Sequence, residues 1–307
     1  MARANSSRVT EFILLGLSDK RELQVLLFTT FLLAYTMVLL GNLLIIVVVR
    51  TDPKLSSPMY FLLGNLSFID ICYTSVTAPR MLVDLLSQRK AIVFEGCIAQ
   101  LFFLHFVGSS EMFLLTVMAY DRYTAICKPL HYTTIMSRRA CWLLVASCWA
   151  GGFLHSITQT LLTVQLPFCG PNTINGYFCD VSPVIRLACA DVRTTEWLVA
   201  SNSGLISLGC FLVLLTSYVF ILLTIRGRVP RGRAKALSTC AAHALVVVLF
   251  FVPCVFIYLR PSRTFPADKY VCVSYTVFSP VMNPLIYTLR SKEVKESMGR
   301  LWKRCRA

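Results

Sequence analysis

Four polar side chains interrupt long apolar runs in this chain, and they bound the chemistry open to it. Asp70 and Glu111 are carboxylates, and Asn42 and Asn283 are amides. Ionisable groups in such surroundings are costly, so they mark ion sites, proton paths or hydrogen-bonded switches. One reading is a shared polar cluster in which Asp70 and Glu111 hold a cation such as Na⁺. The other is a structural hydrogen-bonded network with one carboxyl protonated. His105 lies in the same run as Glu111, and suits either a packed polar contact or a ligand contact. No second His or carboxylate stands at metal-ligand spacing. The sequence also lacks His-Glu-x-x-His, Gly-x-x-x-x-Gly-Lys, Gly-x-Ser-x-Gly and a dinucleotide loop. The expectation is a non-enzyme, with no cofactor beyond a structural sodium ion.

The elements that must position these residues are membrane helices. Of 307 residues, 56% are hydrophobic and 15% charged, and the mean hydropathy is +0.66. A soluble domain carries about 45–50% apolar and about 25% charged residues, so soluble and disordered classes are disfavoured. Seven segments are long and apolar enough to cross a bilayer: Leu23–Val49, Met59–Pro79, Cys97–Ala119, Ala140–Phe168, Trp197–Ile225, Ala236–Leu259 and Tyr270–Leu289. The second is expected to run on to about Leu86, carrying Arg80 and Asp84. Unbroken runs of this kind favour helices over transmembrane strands. The predicted fold is an all-α, seven-transmembrane helix bundle. It forms a single domain over 1–307, with an N-terminal segment 1–22, a bundle 23–289 and a tail 290–307. Pro79, Pro253, Pro280 and Pro284 lie inside helical stretches and predict kinks.

The net charge of +15 would suggest nucleic acid in a soluble protein, but here it sorts by loop. One set of connections (50–58, 121–139, 226–235, 290–307) holds 18 basic and 4 acidic residues, and the other set holds 11 and 8. The first set is therefore expected in the cytoplasm, with the N-terminus outside and the C-terminus inside. The stretch Phe12–Leu17 is too short for a cleavable signal peptide. Asn5-Ser6-Ser7 is a glycosylation acceptor on the expected outer side. Of 13 cysteines, Cys97, Cys169, Cys179 and Cys189 fall on that side, where three disulfide connectivities are open. Beyond the seventh run, Val294, Met298, Leu301 and Cys305 recur at helical spacing among basic residues. They predict a short amphipathic helix on membrane lipid, with Cys305 as a palmitoylation candidate.

Several motifs stand at the ends of these runs. Met118-Ala119-Tyr120-Asp121-Arg122-Tyr123 closes the third, and Pro58-Met59-Tyr60-Phe61-Leu62 opens the second. Ser217-Tyr218 lies late in the fifth, and Lys235-Ala236-Leu237-Ser238-Thr239-Cys240 opens the sixth. Asn283-Pro284-Leu285-Ile286-Tyr287 closes the seventh. In this order, over nearly the whole chain, they resemble an odorant receptor of the rhodopsin-like G-protein-coupled receptor superfamily. The stretch Gly96–Glu111 is similar to the tetrapod type and its family 4.

The resemblance implies a receptor that binds small volatile, mostly apolar odorants and activates a stimulatory olfactory-type heterotrimeric G protein to raise cyclic AMP. It implies a plasma-membrane location in the cilia of olfactory neurons. It assigns the switch to Asp121, Arg122, Tyr123, Tyr218, Asn283, Pro284 and Tyr287, with Arg122 held in the resting state by an ionic contact to Asp121. It pairs Cys97 with Cys179 and Cys169 with Cys189. The expected ligand region joins Leu104, His105, Gly108 and Ser109 of the third helix to Asn202, Ser203, Ile206 and Ser207 of the fifth. Phe251, Cys254, Val255 and Tyr258 of the sixth and Thr276 of the seventh complete it. Leu104 stands where amine receptors of the superfamily carry Asp, which argues against charged amines. Two departures are visible: Phe251 replaces the usual Trp before Pro253, and Ala242-His243-Ala244 replaces the usual Ser-His-Leu. An ion-coupled transporter or channel is the competing class, and it should show inverted repeats or paired broken helices, which the sequence does not display.

Overall fold

The computed structural model describes residues 9–226, 230–260, 265 and 267–306. Six single helices in it are long and apolar enough to span a membrane. They are α1 (Arg21–Thr51), α2 (Pro58–Leu86), α3 (Phe94–Cys127), α4 (Arg138–Val164), α5 (Arg193–Arg226) and α6 (Pro230–Tyr258). A seventh, α7, is built in three consecutive pieces: Asp268–Val273, a π-helical turn at Ser274–Phe278, and Ser279–Arg290. The break precedes the prolines: Pro280 stands at the start of the last piece, where a missing backbone N–H is tolerated, and Pro284 lies inside that piece without interrupting it. The fold is the expected seven-helix bundle, followed by α8 (Lys292–Arg306).

Helix α3 is the axis of the bundle. In its most apolar window 61% of residues are buried, against 22% for α1 and 28% for α5. The outward faces of α1, α4 and α5 expose large apolar side chains such as Leu33, Leu154 and Leu205, as lipid-facing helices do. Helices α3 and α4 approach closely at Gly152. A Cβ there would lie 2.2 Å from Ser110 Oγ and 2.7 Å from the Phe106 carbonyl oxygen. Only glycine fits such a backbone approach.

The helix ends depart from the apolar runs for physical reasons. α3 continues past Ala119 to Cys127, because Asp121 and Arg122 sit at the helix end rather than in the apolar interior. α4 stops at Val164, four residues short of the expected Phe168. Leu166 and Phe168 are apolar because they pack under a small sheet, not because they face lipid.

That sheet has no counterpart in the sequence reading. Strands β1 (Glu11–Leu14), β2 (Ala91–Val93) and β3 (Thr173–Ile174) pair in the order β2-β1-β3. β1 is antiparallel to β2, with Phe12 opposite Ile92, and parallel to β3, with Ile13 opposite Thr173. Phe12 and Leu14 are buried in a cluster with Cys97, Phe168 and Cys179. The Cys97–Cys179 and Cys169–Cys189 disulfides brace this N-terminal face, with Cα–Cα separations of 5.4 and 6.0 Å.

At the opposite face α8 folds back on the bundle. Val294 is buried, and Met298 and Leu301 pack against the main core. The apolar stripe expected to lie on lipid is therefore turned mainly onto protein, while Trp302 faces outward at 61% exposure. Asp52, in the α1–α2 turn, accepts hydrogen bonds from Ser297 Oγ (2.5 Å), from Arg300 Nε (3.0 Å) and from the Lys54 amide (3.0 Å). These donors hold its carboxyl well below the usual carboxylate range. Asn5 and the side chain of Cys305 lie outside the described residues.

Candidate functional site

A cavity of about 40 Å³ lies in the half of the bundle nearer the N-terminal face. Helix α3 contributes Leu104, His105, Gly108 and Ser109, which helical spacing sets on one side. Ser203, Ile206 and Ser207 come from α5, and Cys254 and Tyr258 from α6. These nine were expected from the sequence. Four others expected with them do not line the cavity. Phe251 is displaced by its neighbour Phe250, one residue and so about 100° round the helix. Val255 is absent from the wall. Asn202 stands behind it, with its amide 3.1 Å from His155 Nδ1. Thr276 is buried against Tyr177, their hydroxyls 2.7 Å apart.

Sequence reasoning missed Tyr73, Met112, His155 and Phe250, which complete the wall. His155 had a legible signal: it is an ionisable residue within an apolar helix, like the residues that were singled out. Tyr73 reaches the cavity because Gly108 has no side chain, since a Cβ there would lie 3.1 Å from the Tyr73 ring.

The roof was also missed. Asp180 follows the disulfide-bonded Cys179, which brings it over the cavity. Its Oδ1 lies 3.0 Å from His105 Nε2 and accepts from the Val181 amide at 2.7 Å. Its Oδ2 accepts from the Tyr258 hydroxyl at 3.1 Å. One loop carboxylate thus ties α3 to α6 across the top of the cavity. The same carboxylate borders a second, outer cavity of about 230 Å³.

Below the cavity lies the polar cluster. Asn283 Nδ2 donates to both Asp70 oxygens, at 2.9 and 3.1 Å. Asn42 Nδ2 donates to the Pro280 carbonyl at 3.3 Å, linking α1 to the broken seventh helix. Both Glu111 carboxylate oxygens are buried without a hydrogen-bond partner, as are Asn42 Oδ1, Thr74 Oγ1, Ser279 Oγ and Asn283 Oδ1. Buried polar atoms are nearly always hydrogen-bonded, so these oxygen atoms call for a partner, whether water or an ion.

Deeper still are the residues expected to form the switch. Arg122 makes no ion pair with Asp121 in this structure, contrary to expectation. Asp121 instead accepts from the Tyr132 hydroxyl at 2.7 Å. Tyr132 lies in the turn after α3, and burial beside Asp121 pushes its hydroxyl pKa up. Tyr218 meets His243, oxygen to Nδ1, at 2.5 Å. The His of Ala242-His243-Ala244 therefore joins α5 to α6. The Tyr287 hydroxyl has no partner. Tyr123 packs its ring 6.0 Å from Phe220. Pro284 packs so close to Gly41 that a Cβ there would lie 3.2 Å from its ring.

A family model described as olfactory receptor matches residues 31–304. The chain belongs to the olfactory receptor family. It is 57% identical to olfactory receptor 4E2 of Mus musculus, covering 99% of both chains. It is 58% identical to olfactory receptor 4Q2 of Homo sapiens over 99% of this chain and 97% of that one. To olfactory receptor 4M1 of Homo sapiens it is 56% identical, over 98% and 97%. These relatives are family 4 olfactory receptors, the group that the Gly96–Glu111 stretch resembles. The receptor is accordingly a multi-pass membrane protein of the G-protein-coupled class and not an enzyme.

Proposed function

We propose that this olfactory receptor binds a small, mostly apolar volatile in the cavity between α3, α5 and α6, and signals through a stimulatory olfactory-type heterotrimeric G protein to raise cyclic AMP. The carrying observation is that cavity, apolar for the most part, with Ser109, Ser203 and Ser207 as scattered hydroxyls. An engineered apolar cavity of about 150 Å³ accepts benzene. At about 40 Å³, this one must widen to admit a comparable ligand. Separation of α6 from α3 is the natural way, and it stretches the Asp180 bridge to Tyr258. A ligand that binds the widened form better than the closed one shifts the population toward it.

The same motion of α6 would draw His243 away from Tyr218. Tyr218 and Tyr287 would then be released toward Arg122, whose guanidinium meets the G protein. This reading places the N-terminus outside the cell and the C-terminus inside, in keeping with the loop charge. The location would be the plasma membrane of olfactory cilia.

The oxygen-rich set of Asp70, Glu111, Asn42, Thr74, Ser279 and Asn283 fits a hard monovalent cation such as Na⁺, since six of its oxygen atoms want a partner. Bound there, the ion would neutralise buried carboxylate charge and hold α2, α3 and α7 together.

A cyclic AMP reporter in cells expressing the receptor, exposed to an odorant panel, tests the function. An active odorant should raise cyclic AMP only when the G protein is present. Arg122→Ala should abolish that response while surface expression stays measurable. Ion flux independent of any G protein, or undiminished signalling by Arg122→Ala, would refute the reading.

A further inference from the structure

A third cavity, about 720 Å³, opens to the lipid side of the bundle near the C-terminal face. It runs between the end of α1, the start of α2 and the start of α4. Its wall is aromatic and firmly set: Phe61 packs edge-on to Trp142 at 4.9 Å, and Phe68 lies 6.1 Å from Trp149. Phe68 and Trp142 are about half exposed, so the wall faces out of the bundle. The mouth carries Arg50 and Arg138. Among the described residues, neither forms an ion pair with an acidic side chain. Asp52, the acid nearest Arg50 in the chain, is already engaged by Ser297 and Arg300.

The groove thus combines a membrane-depth apolar slot with two uncompensated guanidinium groups at its polar end. The N-termini of α2 and α4 open at the same mouth, and their dipoles add positive potential there. A neutral sterol would fill the slot and leave the arginines without a counter-charge. A free phosphate would meet the arginines and leave the slot unfilled. We propose that this groove is a binding site for an anionic glycerophospholipid, with its phosphate between Arg50 and Arg138 and an acyl chain along Phe61, Phe68, Trp142 and Trp149.

Two of the four tryptophans line the groove, which gives a direct readout. The full-length receptor carrying Trp197→Phe and Trp302→Phe is reconstituted in phosphatidylcholine vesicles containing chain-brominated phosphatidylserine or chain-brominated phosphatidylcholine. Both leaflets carry the probe, so the result does not depend on receptor orientation or on odorant binding. Brominated phosphatidylserine should quench at a lower mole fraction, by about fivefold for each arginine engaged. Arg50→Gln with Arg138→Gln should bring its curve onto that of phosphatidylcholine. Arg50→Lys with Arg138→Lys should keep most of the preference. Gly64→Leu, which fills the slot, should weaken quenching by both lipids and serves if the glutamine variant does not fold. Coincident curves in the parent receptor would overturn the proposal. So would a serine-lipid preference that survives both glutamines, or cholesterol relieving the quenching while headgroup charge makes no difference.

Discussion

At the scale of single residues, Asp180 concentrates the most consequence in the fewest atoms. It is the shared acceptor for His105 and Tyr258. Asp180→Ala leaves both partners without it, and an unsatisfied buried group costs about 1–3 kcal/mol. Tyr258→Phe removes one donor while the carboxylate keeps His105 and the Val181 amide, so it should cost no more than about 1.5 kcal/mol. Thermal unfolding of the purified receptor should therefore show the alanine variant clearly less stable than the phenylalanine one. Equal losses would mean that the bridge does not hold the roof. Asp52 offers a second residue-level check. Its carboxyl titrates below the ordinary value of 3.8 because Ser297 and Arg300 hold the ionised form. A depressed folded-state pKa contributes stability that is present above the unfolded value and is lost as pH falls through the folded one. Docking of α8 should thus be constant from neutral pH down to about the ordinary carboxylate value, and loosen only below it. Hydrogen exchange of the α8 amides across that range reads this directly, and a loosening near pH 6 would contradict it. Residue-level legibility was uneven. Asp70, Glu111 and Asn283 were visible because carboxylates and amides are conspicuous in apolar runs. Asp180 was not, because it lies in a loop that long-range contacts bring to the cavity, the Cys97–Cys179 disulfide and the hydrogen bond from the Cys179 amide to Gln100 among them.

At the scale of elements, composition gave the spans and packing set their ends. Runs of apolar residues mark where a helix crosses lipid, so all seven could be read. Run length could not tell apolar residues facing lipid from those packed under a sheet, and this is why α4 was expected to reach Phe168. The outer sheet was illegible for a related reason. Its strands are only 4, 3 and 2 residues long, too short to show alternation, and their partners lie far apart in sequence. On α6 the expectation mixed two faces: Cys254 and Tyr258 line the cavity, but Phe251 and Val255 do not and Phe250 does, because a helix this apolar carries little information about which side faces inward. The contact between α3 and α4 makes a prediction at this scale. Gly152→Ala forces a methyl against the Phe106 carbonyl oxygen, which cannot move without shifting α3. Overpacking of this kind costs about 1–3 kcal/mol. A melting temperature unchanged by the substitution would show that the two helices separate easily there.

At the scale of the molecule, the receptor is rigid at its N-terminal face and interrupted within α7. Two disulfides and a three-stranded sheet fix the former, while the π-helical turn at Ser274–Phe278 interrupts the latter. Closing a loop of 20 residues by the Cys169–Cys189 bond restricts the unfolded chain. That restriction contributes about 3 kcal/mol. Replacing both cysteines by alanine should lower thermal stability by about that amount, and no change would mean the sheet alone holds the loop.

Residues 9–17 form a structural strap. Beyond pairing β1 with two loops, the strap accepts hydrogen bonds from Lys269 through the Gly16 carbonyl and from Tyr270 through that of Leu17. Anyone shortening this protein for expression, or fusing a partner directly onto residue 11, would be cutting into the clasp that fastens the start of α7 to the rest of the rim.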